Sequence, residues 1–310
     1  MTKPRTKYSV VVPVFGSVNT LERLVNEIIL FVAPLGTLEI IMVDDCSPDK
    51  SWKLLKQLKA HHSFMKIYRL GNNFGQAAAT LCGIHHSTGD VIITIDDDLQ
   101  YPSEEIPRMI RFYHENDYQM VLGIPRKKQR SGRYMLAEKL VRLFFRLRPA
   151  GHLNGTNISS SFRILSARLR DSSGAGNHKI KSIHLANQML EPRFIGNILV
   201  EHKPAPKDKN GRYSLRKRLD HFTDMLLVFN KNPLSWLLWP ALLLGIGSLV
   251  GITLNLMGLG TDVFTDIPAH LLVLIDATII LGLIIIGKYA GHIYHLQLGM
   301  PPYLIIESHE

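Results

Sequence analysis

Cysteine is nearly absent: Cys46 and Cys82 are the only two in 310 residues. So small a number excludes a disulfide framework, and both are read as free thiols in a reducing compartment. No secretory leader is recognisable either, because residues 1–7 are polar and basic and the apolar run at 8–14 is only strand-length. The N-terminal domain is therefore expected in the cytoplasm. The fourteen histidines form no metal-ligand spacing, and His85-His86 reads as a solvated helix end.

Charge is missing from two stretches. Residues 234–259 carry none, and residues 271–287 carry only Asp276. A helix crossing the hydrocarbon needs about 20 apolar residues; the first run meets this outright and the second does if it begins near Ile267. Two transmembrane helices are expected. The link between them, about residues 258–270, has Asp262 and Asp266 but no Lys or Arg. Arg212, Arg216, Lys217, Arg218 and Lys231 stand before the first run and Lys288 follows the second. The positive-inside rule then puts both flanks in the cytoplasm and the link outside. Asp276 is costly within an apolar run, which suggests a partner on a neighbouring subunit or a position nearer the interface.

The net charge of +10 suits nucleic acid, anionic lipid or phosphorylated substrates. Nucleic acid is disfavoured, because the basic stretches lack interleaved aromatic platforms and adjoin the apolar runs. Residues 134–147 and 213–229 carry apolar residues at helical spacing with basic residues between them. They suit a membrane surface, or else form ordinary solvated helices.

What is present in the first half is an alternation of short β-rich runs and amphipathic stretches, the pattern of an α/β domain with a mainly parallel sheet. Strands are expected at 8–14, 38–43, 65–70, 91–95 and 119–123. Helices are expected through Leu21, Leu24, Ile28 and Val32, through Trp52, Leu55 and Leu58, at 73–86 with a small face of Ala77, Ala78, Ala79 and Gly83, and at 103–116. Asp44-Asp45 and Asp96-Asp97-Asp98 fall at the C-terminal ends of two of these strands. Open α/β sheets bind ligands at that edge, so both acidic clusters are expected in one cleft.

Three adjacent carboxylates after a buried strand repel one another, and a divalent cation would relieve the repulsion. Asp96 and Asp98, two apart on an extended backbone, point to one side while Asp97 points away. Hard oxygen ligands favour Mg²⁺ or Mn²⁺. The same residues read equally well as a solvated turn.

The segment Asp96-Asp97-Asp98-Leu99-Gln100-Tyr101-Pro102, continued by Glu104-Glu105-Ile106-Pro107, resembles the Asp-x-Asp region of inverting family-2 glycosyltransferases. Within that family it is similar to the polyprenyl-phosphate branch of dolichyl-phosphate mannose synthases and bacterial undecaprenyl-phosphate sugar transferases. The resemblance runs nearly end to end. Val11-Val12-Pro13-Val14 resembles the opening strand, residues 43–49 the nucleotide-binding turn, and Asn73-Phe74-Gly75-Gln76 the start of the donor-side helix.

The resemblance implies a Rossmann-like GT-A domain and a reaction that moves a sugar from a nucleotide-sugar to polyprenyl phosphate, with inversion. Pro13, Asp44, Asp45, Gln76 and Asp96 would form the donor site, and Asp96, Asp98 and Gln100 the Mg²⁺ or Mn²⁺ site. Asp96, Asp98 and Arg126 would be catalytic. Arg126 stands near the family's Gly-x-Arg with one residue added, and Arg163 lies in Ser161-Phe162-Arg163, which resembles a Gly-Phe-Arg segment. With Arg130 and Arg133 these would hold the acceptor phosphate, a task suited to arginine's planar, permanently charged fork. Residues 207–214 resemble a donor lid, with Gly211 where Ser is usual, and imply roles for Lys209, Arg212 and Tyr213. The expected organisation is a catalytic domain at 1–210, a basic interfacial segment at 211–232, two spans at 233–290 and a cytoplasmic tail at 291–310. The protein would then sit in the bacterial inner membrane or its equivalent, contact lipid, and have in its membrane helices a route to a homo-oligomer. A processive polysaccharide synthase is a weaker fit, since no Gln-x-x-Arg-Trp is present. The alternatives are an inactive membrane scaffold for a flippase or second transferase, and a transferase with a non-polyprenyl acceptor.

Overall fold

The computed structural model describes residues 5–126, 160–171, 190–203 and 303–310, with scattered helical positions between 275 and 291. The chain divides into two compact units, Met1–Arg212 with Pro302–Glu310, and Tyr213–Pro301.

The first unit is built on an eight-stranded sheet. Its strands are β1 (Lys7–Val14), β2 (Thr37–Asp44), β3 (Met65–Leu70), β4 (Val91–Thr94), β5 (Met120–Pro125), β6 (Arg163–Ser166), β7 (Ile195–Val200) and β8 (Ile305–His309), in the spatial order β7-β5-β6-β4-β1-β2-β3-β8. β1 pairs in parallel with β2 and β4, β2 with β3, and β5 with β7. Only β6 and β8 run antiparallel to their neighbours. The helices are α1 (Leu21–Val32), α2 (Ser51–His61), α3 (Gln76–His85), α4 (Ile106–His114) and the short α5 (Ala167–Asp171).

β1, β2 and β4 are buried on both faces, which their near-continuous Val, Ile and Met content allows. One apolar layer joins Val10, Val12, Ile40 and Met42 to Leu24, Ile28 and Leu55 of α1 and α2. The other joins Val11, Ile41 and Val43 to Ala79 and Cys82 of α3. The small face expected on α3 is used for close approach: a Cβ on Gly83 would come within 2.3 Å of Val11 Cγ1.

α3 begins at Gln76 rather than at residue 73, because Gly75 adopts φ +92°, outside the helical region. β6, β7 and β8 were not expected. Residues 305–309, read as part of a tail, form the sheet's edge strand, with Gly71 N–H donating to the Leu304 carbonyl at 2.8 Å. Both cysteines are free, Cys82 buried and Cys46 partly so.

In the second unit, the described positions between Ile275 and Gly291 are helical, and Asp276, Ile279, Leu283, Ile284 and Ile286 are exposed. Among the described residues no helix is long and apolar enough to cross a membrane. The first expected span lies wholly outside the described residues and the second largely so, as do the basic helices expected at 134–147 and 213–229.

Candidate active site

Four strands that run in one direction end at the same edge of the sheet, and each delivers residues singled out from the sequence. β4 is followed by Asp96, Asp97 and Asp98, each partly buried. Alternation along the backbone sends them apart. Asp96 accepts hydrogen bonds from Gln76 Nε2 and from Ser161 Oγ, both at 2.5 Å. Asp97 turns the other way: its carboxylate accepts the Phe15 N–H at 2.9 Å and its carbonyl the Thr20 hydroxyl at 2.6 Å. Asp97 therefore ties the end of β4 to the loop after β1. Asp98 accepts the Gln100 N–H at 3.1 Å, closing a turn in which Leu99 takes φ +60°.

Burial pushes the Asp96 carboxyl up to about 6, with the negative charges of Asp98 and Asp97 adding to the rise and Ser161 and Arg163 opposing it.

At the end of β2, Asp44 and Asp45 are both buried. Asp44 accepts the Ser47 N–H at 3.3 Å and pairs with Arg69 Nε at 3.4 Å, and it is fully enclosed. Asp45 takes the Phe74 N–H on one carboxylate oxygen and the Gly75 N–H on the other, each at 2.8 Å. It thereby joins the β2 turn to the start of α3, whose first residue, Gln76, reaches Asp96. Cys46 follows at φ +58°. Pro13 is buried within β1 opposite Val43.

Arg163 enters through β6, which pairs it with Thr94 of β4 and with Leu122 of β5. It is buried, and desolvation lowers its pKa to about 10 against the opposing charge of Asp96. Its Nε and Nη1 are buried and have no hydrogen-bond acceptor among the described residues. Arg126 follows β5, is exposed, and is anchored by its N–H to the Val200 carbonyl at 2.9 Å. Beyond β7 the chain returns to the acidic turn: Lys203 N–H donates to the Gln100 carbonyl at 2.7 Å, and the His202 ring meets Tyr101 edge-on at 4.8 Å.

The structure thus brings together Asp45, Gln76, Asp96, Asp98, Gln100 and Arg163, with Asp44 beneath the turn and Arg126 at the same edge. Arg130, Arg133, Lys209, Arg212 and Tyr213 lie outside the described residues. Among the described residues, no three or more His, Cys, Asp or Glu side chains gather into a metal cluster. Two participants were not anticipated. Ser161 as the partner of Asp96 depends on the unforeseen β4–β6 pairing, and Arg69 as the partner of Asp44 depends on strand register.

A likeness to known proteins follows the same outline. Mannosyl-3-phosphoglycerate synthase from Rubrobacter xylanophilus is 16% identical over 72% of this chain and 72% of its own, with a TM-score of 0.51. Glucosyl-3-phosphoglycerate synthase from Mycobacterium tuberculosis, in complex with Mn²⁺ and uridine-diphosphate-glucose, is 18% identical over 72% of this chain and 79% of its own, with a TM-score of 0.50. S. aureus TarS (1–349) is 17% identical over 63% of this chain, and the match spans only 60% of that protein, with a TM-score of 0.43. Two of these three are named for phosphoglycerate rather than for a lipid. The family model described as "Glycosyl transferase family 2" matches residues 9–172, which is more than half of the chain. The chain belongs to glycosyl transferase family 2 and is a glycosyltransferase.

Proposed function

We propose that the protein transfers a sugar from a nucleotide-sugar to a polyprenyl phosphate at the cytoplasmic face of a membrane, with inversion at the anomeric carbon. The observation that carries the reading is the constellation at one sheet edge: a nucleotide-type turn at Asp44-Asp45, an Asp96-x-Asp98 pair tied to the donor-side helix through Gln76, and a buried arginine with unpartnered donors.

Asp96, Asp98 and Gln100 offer hard oxygen ligands; burial holds the Asp96 carboxyl up to about 6, the charges of Asp98 and Asp97 add to the rise, and a cation would favour the ionised form that both oppose. The residues therefore fit Mg²⁺ or Mn²⁺, completed by donor phosphates and water. When bound, the ion supplies charge neutralisation at the leaving diphosphate. Asp45 reads the base edge as a hydrogen-bond acceptor. Arg163 and Arg126 hold the acceptor phosphate close to a donor of like charge. A phosphate oxygen then forms a bond to the anomeric carbon as that carbon's bond to the diphosphate oxygen breaks, and the nucleoside diphosphate leaves from the opposite face. The acceptor is already an anion, so no strong general base is needed. Positioning and electrostatics supply the acceleration. Residues 207–214, by their resemblance to a donor lid, would close over the bound nucleotide-sugar.

The membrane placement is supported by the charge-free run at 234–259, the run at 271–287 with Asp276 as its one charge, and their basic flanks.

The test is transfer of radiolabel from UDP-, GDP- and dTDP-sugars into chloroform-soluble lipid by purified protein with undecaprenyl or dolichyl phosphate. UDP-glucose with Mn²⁺ comes first, as the pair held by the Mycobacterium tuberculosis relative. Labelled lipid that disappears with EDTA or on Asp98→Ala is the expected result. Nucleotide binding without labelled lipid would redirect the reading to another acceptor. A chain that binds no nucleotide would be a scaffold.

A further inference from the structure

One row across the sheet carries alternating charge. The register sets Asp44 of β2 opposite Arg69 of β3, and Arg69 opposite Glu307 of β8. Opposite charges directly across neighbouring strands attract. Arg69 Nε lies 3.4 Å from Asp44 Oδ2 but has no hydrogen-bond acceptor among the described residues, so charge and packing rather than a directed bond hold it there. The packing comes from Trp52 of α2, whose ring centroid is 5.8 Å from the guanidinium carbon. Trp52 is held in turn by the C-terminal strand: its Nε1–H donates to Glu307 Oε2 at 2.8 Å. The other Glu307 oxygen takes Lys56 Nζ at 3.3 Å and His309 Nε2 at 3.1 Å, and the His309 ring lies 6.1 Å from Trp52.

Asp44 is fully enclosed, and its burial favours the neutral acid. The Ser47 hydrogen bonds and the Arg69 charge oppose this, while Asp49 adds to it. Arg69 supplies the opposing positive charge. Asp44 in turn fixes the turn through the Ser47 N–H, and the next residue, Asp45, links that turn to Phe74 and Gly75.

We propose that Arg69 is a positioning residue for the donor site and that the C-terminal strand completes the site from a distance, by clamping Trp52 against Arg69. Residues 305–310 thus govern nucleotide affinity although none of them touches the nucleotide. The inference rests on the donor-site reading of Asp44-Asp45 given above.

The test uses the full-length protein in detergent with UDP, GDP and dTDP as probes, measured by calorimetry, alongside donor KM and kcat. Arg69→Met is expected to weaken binding of the preferred nucleotide about tenfold, which is about 1.4 kcal/mol, and to raise donor KM by the same factor while kcat at saturating donor stays within about twofold. Arg69→Lys keeps the charge and should recover most of the affinity. Glu307→Ala, an edge-strand change outside the core, should weaken binding about threefold, and deletion of residues 305–310 should match Arg69→Met. A purely structural role would lower the thermal midpoint without this split between KM and kcat. Folded Arg69→Met and Glu307→Ala proteins that bind nucleotide like the wild type overturn the inference alone. A wild-type protein that binds none of the three nucleotides overturns the donor reading and this inference together.

Discussion

At the residue scale, function and stability pull in opposite directions on Asp96. Its carboxyl is held at about 6 instead of the ordinary 3.8, chiefly by burial. The folded, metal-free protein therefore keeps a proton that the unfolded chain has already lost. Stability falls as pH rises from about 4 through 6, and the loss is complete above that. Asp96→Asn should stabilise the protein in EDTA at pH 8 by on the order of 1–2 kcal/mol, seen as a higher thermal midpoint, show no gain near pH 4, and abolish sugar transfer. Scanning calorimetry at the two pH values checks the sign. Cys46 is a second strained position, a side-chain-bearing residue at φ +58°. Cys46→Gly should stabilise the domain by about 1 kcal/mol, readable in urea unfolding, and Cys46→Val should cost at least as much. Alternation and like-charge repulsion, which act within a few residues, single out Asp96 and Asp98 in the sequence, while Gln100 is reached only through the resemblance to the Asp-x-Asp region. The sequence did not disclose that Asp44 faces Arg69, because a pairing between strands depends on register, which no single strand encodes.

At the scale of elements, long and strongly patterned segments were legible. The expected run at 65–70 is β3 as observed, and α1 covers the spacing from Leu21 to Val32. α3 started late because Gly75 at φ +92° breaks a pattern that apolar spacing alone would have continued. β6 escaped because four residues carry too little periodicity to be seen, yet it is the strand that brings Arg163 and Ser161 to Asp96. α3 matters for the same reason, since its first residue holds Asp96. It sits low on the sheet because Gly83 leaves no Cβ against Val11. Gly83→Ala already demands a shift, and Gly83→Val should destabilise the domain by about 1–3 kcal/mol. Activity should fall further than the folded fraction does, because lifting α3 withdraws Gln76 from Asp96. Parallel chemical denaturation and transfer assays separate the two effects.

At the scale of the whole molecule, the least anticipated feature is the return of the chain. Residues 303–310 read as a tail because Leu304, Ile305 and Ile306 are too short a run to announce a strand. Yet Tyr303 meets His85 at 2.9 Å, Tyr68 donates to Glu310 at 2.8 Å, and Glu307 anchors Trp52. The strand's partners lie more than two hundred residues away, beyond any local signal. The return bears on the proposed topology: if residues 213–301 cross the membrane, two crossings would place the acidic link on the far side. Thr261→Cys should therefore react with a membrane-impermeant maleimide in intact cells. Ser308→Cys, exposed on β8, should react only after the membrane is breached, with partly exposed Cys46 as the internal reference for that side. Labelling of Thr261→Cys only after breaching would mean that the link never crosses. In that case the apolar runs lie along the membrane surface, and the lipid phosphate would have to reach Arg126 and Arg163 from the plane of the headgroups.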